Sequence, residues 1–334
     1  MTFSCARIQH CIRINNTNDE QVGFCCALKG KIPNFFSVDE MYASNWYAGF
    51  VQKQEQGIWP DECEQCSDQE KYNQLSFRQT SNKKHQVYKK LNPNYKVFDI
   101  STDNICNAAC QTCGPGSSSL YAKIMNYSPM LQNKGIQYIE RYLDDNVIQV
   151  DLAGGEPFYS KSYRKILANL PDSVKWLRIN TNGSMPYDLS DLLNRGIVIE
   201  LTVSIDAIGN LFEYIRWPLK WDVVEENLLF WIKQRDENSK LKLALNPTIS
   251  ALNIEHIEKI RDYAKKLNLA ISYNHLNRVD VLDIRYRNKL TERAINVQYD
   301  FPIAVDRDNS IELEEWLKHN DQARGIDHRT YYGE

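Results

Sequence analysis

Six short apolar runs, each followed by a segment of helical periodicity or a turn, constrain this 334-residue chain more than any other feature. They are Lys96–Ser101, Val147–Ala153, Lys175–Asn180, Val198–Ile205, Leu241–Pro247 and Ala270–His275. Several are apolar on consecutive positions and rich in Val, Ile and Leu, as strands buried on both faces of a parallel sheet are. Between them lie helical patterns such as Trp221–Arg235 and Ile254–Leu267. The second predicts a helix with Asn253 as N-cap and Glu255 and Glu258 in its first turns. Repeated strand–helix units require right-handed crossovers and a curved sheet, so the expected fold is α/β, a partial (β/α)6 TIM-like barrel. Reactive side chains in such a fold sit at the C-terminal ends of strands.

Residues outside this alternation read differently. Residues 1–90 are rich in Cys, Gln and Asn. Arg7–Ile14, a turn over residues 15–19, and Gln21–Cys26 predict a hairpin, followed by a helix near Val38–Gln54. The Lys83-Lys84-His85 stretch reads as a polar joint to the core, residues 91–277. In the tail, residues 278–334, the apolar positions Val279, Leu282, Ile284 and Leu290 and a helix at Ile311–His319 are expected to cover the barrel's open edge.

Composition narrows the function classes. Hydrophobic residues make up 43% and charged residues 25%, an ordinary globular balance. The formal net charge of -3 gives no sign of a nucleic-acid partner. No apolar run reaches the roughly 18 residues that span a bilayer. The first residues lack an apolar signal-peptide core, so a cytoplasmic protein is expected. Its nine cysteines are then thiols or metal ligands rather than disulfides.

Each strand end carries a polar motif. After the first comes Cys106, Cys110 and Cys113, spaced C-x3-C-x2-C. Three thiolates can hold three irons of a [4Fe–4S] cube and leave the fourth iron open, whereas the usual cage has four cysteines. A zinc site, which prefers four ligands, or plain core cysteines are the competing readings. After the second strand comes Gly154-Gly155-Glu156-Pro157, in which two glycines let the backbone approach a ligand and Glu156 offers a carboxylate to an ammonium. A tight turn with a helix-start Glu and Pro is the plainer alternative. After the third, Asn180-Thr181-Asn182-Gly183 offers side-chain amides or forms a turn. After the fourth, Ser204 and Asp206 stand two apart, which on a strand places them on one face. Arg216, ten residues on, is a partner for a ligand carboxylate or for a surface carboxylate.

Taken together and in this order, these motifs resemble the radical S-adenosylmethionine (SAM) enzymes. The resemblance implies that Cys106, Cys110 and Cys113 bind a [4Fe–4S] cluster whose open iron chelates SAM. It implies that Gly154, Gly155 and Glu156 hold the SAM amino group, that the Asn182 turn belongs to the same pocket, and that Ser204, Asp206 and Arg216 reach its ribose or carboxylate. Asn246 and Tyr273, at the ends of the fifth and sixth strands, are expected to flank the adenosine. One residue departs from the pattern: Thr112 precedes the last cysteine where the family usually carries an aromatic or large apolar side chain.

The N-terminal cysteines carry a second resemblance, to twitch or SPASM-type modules. Cys5, the pair Cys25-Cys26 and Cys63-Glu64-Gln65-Cys66 are similar to their auxiliary-cluster ligands, although such modules usually follow the barrel and this one precedes it. The segments Ser76-Phe77-Arg78 and 213–221 share the likeness, while Glu20 stands where a turn glycine is expected. The resemblance implies an auxiliary [4Fe–4S] cluster on Cys5, Cys25, Cys63 and Cys66, with Cys11 and Cys26 as substitutes. The same thiolates suit a structural zinc ion. The expected activity is reductive cleavage of SAM to a 5′-deoxyadenosyl radical that takes hydrogen from a peptide or protein, with flavodoxin or ferredoxin as electron donor. A small metabolite, sugar or nucleotide is the alternative substrate. A non-catalytic, zinc-binding interaction module is the alternative from another class.

Overall fold

The computed structural model describes residues 3–15, 21–71, 73, 75–127, 142–276, 280–284 and 310–332. Two compact units divide the chain. One comprises Met1–Asp103, Leu131–Gly154 and Lys161–Arg178, the other Asn104–Met130, Gly155–Ser160 and Ile179–Glu334. Both are α/β, and their sheets are mostly parallel.

In the first unit the strands are β1 (Cys11–Asn15), β2 (Gln21–Gly23), β3 (Lys96–Ser101), β4 (Val147–Leu152) and the start of β5 (Trp176–Thr181), in spatial order β2-β1-β3-β4-β5. β1 and β2 form the expected antiparallel hairpin. It is shorter than the sequence predicts, because Ala6–His10 is a helix rather than the start of the strand. Long-range partners hold that helix's first amides: Cys5 N–H donates to Gln54 Oε1 and Ala6 N–H to Asn82 Oδ1. β1 also pairs in parallel with β3, from Cys11↔Val97 to Asn15↔Ser101. The hairpin therefore extends the sheet rather than standing beside it.

Two helix expectations change for local reasons. The helix predicted over Val38–Gln54 is two helices, Val38–Ala43 and Asn45–Glu55. Ser44 between them is extended, and its hydroxyl accepts from Tyr47 N–H to start the second. The Lys83-Lys84-His85 joint is the middle of a helix, Phe77–Leu91. A capping box starts that helix: Ser76 Oγ accepts from Gln79 N–H, and Gln79 Oε1 accepts from Ser76 N–H.

The second unit continues β5 and adds β6 (Val198–Val203), β7 (Leu241–Leu245) and β9 (Ala270–Ile271), in the order β5-β6-β7-β9. β6–β7 and β7–β9 are parallel. The predicted sixth strand is split: β10 (Asn274–His275) leaves the main sheet and pairs with β8 (Thr248–Ile249). Helix Trp221–Glu237 forms as expected. The next begins as a 3-10 turn at Ile254–His256 and continues as Ile257–Lys266. Asn253 does not cap it. Its Oδ1, the atom that would cap, accepts from Ser250 N–H at 2.8 Å instead, and its Nδ2 donates to Asp206 O and Thr248 O.

β4 is buried at every position, as a two-faced core strand must be. β6 is not: Ile199, Leu201 and Val203 are buried while Val198, Glu200 and Thr202 are half-open. One face of β6 thus packs against apolar side chains, and the other is polar. In the tail, Leu282 and Ile284 are buried and the helix runs Ser310–Arg324, longer than predicted. Val279 and Leu290 lie outside the described residues. No helix among the described residues is long and apolar enough to cross a membrane. Truncating Leu201 to Ala should lower unfolding free energy by about 2–5 kcal/mol. Urea denaturation followed by far-UV circular dichroism would check this. A loss below 1 kcal/mol would mean that the packed face of β6 is not the core of its unit.

Candidate active site

The cysteine loop is held by backbone bonds along its length. Ala109 N–H donates to Trp217 O and Gln111 N–H to Ile215 O, both at 2.7 Å. Asn104 Nδ2 donates to Pro115 O at 2.8 Å, and Ser118 Oγ donates to Ala108 O. Ser118 also caps helix Ser119–Ile124 by accepting from Tyr121 N–H. Cys106 and Cys110 are buried and Cys113 is half-buried. The Cys106 sulfur accepts from Ala108 N–H at 3.4 Å and from Asn182 Nδ2 at 3.7 Å. Burial pushes the Cys110 thiol up to about 12, against the pull of Arg216, and pushes Cys106 up as well. A metal must therefore displace protons from these sulfurs, as thiolate ligation requires.

The glycine turn is shaped by this loop. Gly154 and Gly155 both have positive φ, +88° and +40°. A Cβ on Gly155 would stand 2.6 Å from Ile105 O, so only glycine lets the turn lie against the loop that carries Cys106. Glu156 N–H donates to the same Ile105 O at 2.8 Å. The Glu156 side chain is fully buried and takes three donors: Phe158 N–H at 3.0 Å, Thr181 Oγ1 at 2.7 Å and Asn182 N–H at 2.6 Å. Its carboxylate thus ties the turn to the end of β5. Burial still raises its pKa to about 7, because desolvation outweighs these bonds and the charge of Arg216.

Asn182 joins the two motifs. Its Nδ2 donates to Asn107 Oδ1 at 3.0 Å and its Oδ1 accepts from Ser184 N–H at 2.9 Å. Asn107 Nδ2 in turn donates to Ser184 Oγ. Asp206 and Arg216 form a buried pair at 2.9 Å. Thr248 N–H holds Asp206 Oδ1 at 2.7 Å. β6 ends at Val203, so the strand alternation does not reach Asp206: Ser204 is half-buried while Asp206 is fully enclosed. Asp206 Oδ2 and Arg216 Nε, both buried, make no aligned hydrogen bond. Arg216 lies near enough to Cys110 and Cys113 to feel both thiols.

The structure thus collects Cys106, Cys110, Cys113, Gly155, Glu156, Asn182, Asp206 and Arg216 around one loop, and Gly154 begins the same turn. It engages two predicted residues elsewhere. Asn246 Nδ2 donates to Ser272 O at 3.0 Å, bracing the end of β9, and Tyr273 Oη accepts from Arg261 Nε at 3.4 Å. It also adds a residue that sequence reasoning missed. Arg324, at the end of the tail helix, donates through Nε and Nη2 to Ala109 O at 3.1 and 3.0 Å. No local pattern marks Arg324, which is 215 positions from its partner in sequence.

A second set of cysteines gathers in the other unit. Cys5, Cys25, Cys63 and Cys66 line one cleft, walled by Phe3, Trp59 and Phe77 and flanked by Arg7 and Arg78. Cys11 lines a neighbouring cleft and Cys26 is exposed. Burial pushes the Cys63 thiol up to about 12. Arg78 is fixed by Glu70, with Nε at 2.9 Å and Nη2 at 2.6 Å from its carboxylate, and lies over the Trp59 ring. Among the described residues, no three cysteine sulfurs lie within 4.8 Å of one another. One tetrahedral zinc, with Zn–S near 2.3 Å, would draw its sulfurs to about 3.8 Å.

No family model matches the chain. Two curated relatives, both GTP 3′,8-cyclases from Helicobacter pylori strains, are 25% identical over 180 residues and 24% identical over 179. Each alignment covers 52% of this chain and 53% of the relative, so the chain spans about half the length of the curated relatives it matches. Among solved structures, native anSMEcpe with bound AdoMet is 15% identical, covers 69% of this chain and 62% of that one, and has a TM-score of 0.39. Streptococcus suis SuiB bound to precursor peptide SuiA is 14% identical, covers 89% and 55%, and has a TM-score of 0.43.

Glu156 gives a pH test. Its carboxyl titrates near 4.5 when unfolded and near 7 when folded, so the folded state holds the proton longer. Its contribution is full below about pH 4.5 and is lost as pH rises through about 7. The shift corresponds to about 3 kcal/mol. Urea unfolding at pH steps from 4.5 to 7.5 should show this decline, and Glu156→Gln should flatten it. An equal slope in both proteins would remove Glu156 as its source.

Proposed function

We propose that this chain is a radical SAM enzyme, with Cys106, Cys110 and Cys113 as ligands of the reactive [4Fe–4S] cluster. The observation that carries this is the convergence of three separate motifs on one loop: Gly155 against Ile105, and Asn182 against both Cys106 and Glu156. A cluster held there by Cys106, Cys110 and Cys113 would pass one electron from an external donor to SAM, the chemistry that yields methionine and a 5′-deoxyadenosyl radical able to take a hydrogen atom from a substrate.

The protein's own residues orient and insulate. Glu156 acts as a positioning residue, fixing the turn and the Asn182 backbone. Gly154 and Gly155 leave room for the SAM amino group beside the loop. Arg216, with an unused Nε, is suited to the SAM carboxylate, and Asp206 holds it in place. Ser204, half-buried at the end of β6, is left for the ribose, with Asn246 and Tyr273 as outer walls. Arg324 clamps the Ala109 carbonyl between two of the ligands. Hydrogen bonds and charge near the sulfurs set a cluster's potential, so Arg216 and Arg324 are placed to tune it.

The four-cysteine cleft holds an auxiliary [4Fe–4S] cluster in this reading, on Cys5, Cys25, Cys63 and Cys66. The twitch and SPASM resemblance favours a peptide or protein substrate and a flavodoxin or ferredoxin as donor. A nucleotide is the second reading, favoured by the similarity to proteins named GTP 3′,8-cyclase.

The test is anaerobic reconstitution with iron and sulfide, then dithionite and SAM. The wild type should form 5′-deoxyadenosine and Cys106→Ala none; equal yields would reject the proposal. Iron should approach about eight per chain if both four-iron clusters form. Cys63→Ala should lower that to about four, while zinc at this position with four irons elsewhere would reject the auxiliary cluster.

A further inference from the structure

A row of charged side chains crosses the first unit. Arg13 on β1 is in register with Asp99 on β3, and Asp99 with Asp151 on β4. Arg178 on β5 pairs with Asp151 at 3.4 Å. Both carboxylates are buried, and like charges opposed on neighbouring strands are destabilising. Burial raises the Asp151 pKa despite Arg178. Packed apolar residues would suit an ordinary sheet core better, so the row needs another reason.

The arginines supply one. Asp99 is shared by two guanidiniums, Arg7 Nη2 at 2.9 Å and Arg13 Nη1 at 3.2 Å. Arg7 is 5% exposed, and its Nε has no hydrogen-bond partner. Its guanidinium stacks 4.4 Å from the Phe77 ring centre, with Arg178 on the same ring at 6.0 Å. Arg7, Arg178 and Lys84 line one cleft together with Ser81, and no acidic side chain lines it among the described residues. Asp99 holds Arg7 and Asp151 holds Arg178 by these ion pairs. His10 is also on the wall, and burial lowers its pKa.

We propose that this cleft binds a small oxyanion, a carboxylate or a phosphate, with Arg178 and Lys84 as its direct partners and Arg7 on the same wall. Planar guanidiniums fit such oxyanions bidentately. Such binding needs neither SAM nor an electron.

Isothermal titration calorimetry on the reconstituted full chain, without SAM or reductant, tests it with two probes. Tripolyphosphate stands for a nucleotide's phosphates. An N-acetylated peptide as free acid, against its C-terminal amide, stands for a peptide carboxylate. One probe should bind, more weakly at higher salt and at least tenfold more weakly in Arg178→Gln and Lys84→Gln, with Arg178→Lys recovering part of the loss. Tripolyphosphate binding would assign a phosphate, and preference for the free acid over the amide a carboxylate. Should Arg178→Gln fail to fold, Lys84→Gln on the helix surface decides. Binding by neither probe, or equal binding in wild type and Lys84→Gln, overturns the proposal. A chain that binds a probe but makes no 5′-deoxyadenosine overturns only the radical SAM reading.

Discussion

The candidate site depends on one close approach, the Gly155 backbone lying against the carbonyl of Ile105. No side chain larger than hydrogen fits there, and Glu156 N–H closes the contact with a hydrogen bond to the same oxygen. That contact sets where the loop with Cys106 begins. The buried Glu156 carboxylate then carries the constraint to Thr181 and Asn182, and Asn182 returns it to Cys106 through its amide. Three strand ends become one rigid constellation because each polar atom in the circuit has a partner. Losing one would strand another in a dry interior.

Buried charge is the second theme. Asp206 with Arg216, Asp99 with Arg7 and Arg13, and Glu70 with Arg78 are each enclosed or nearly so. Such pairs contribute little net stability, since desolvation offsets most of their attraction. Their placement is more informative. Each puts an arginine beside cysteine sulfurs, and the arginine is fixed by a carboxylate rather than by the sulfurs. The positive charge near each cysteine set is therefore built into the protein and does not wait for a metal.

Much of this was legible before any coordinates. β3, β4 and β6 fall within two residues of the apolar runs that predict them, because runs of Val, Ile and Leu have few other stable uses. The motif order was legible because chemistry at strand ends places polar residues in a fixed alternation with those runs. Where the reading failed, a distant partner had won. Ala6–His10 is helical because Gln54 and Asn82 supply acceptors for the amides at its start. Asn253 looks like a helix cap, but its Oδ1 accepts from Ser250 N–H and its Nδ2 serves Asp206 O and Thr248 O.

The sequence by itself determined the alternation of strand and helix and the spacing of the three cysteines, which follow from local periodicity and residue order; the need for glycine at 155 comes from its tertiary contact with Ile105 O. Tertiary structure alone decided that the N-terminal hairpin would join the sheet through β1, that Cys5, Cys25, Cys63 and Cys66 would share one cleft, and that Arg324 would reach Ala109 from 215 residues away. Those outcomes rest on which distant groups meet during packing. A buried polar atom takes whatever partner the fold brings within about 3 Å, and no local pattern records that choice.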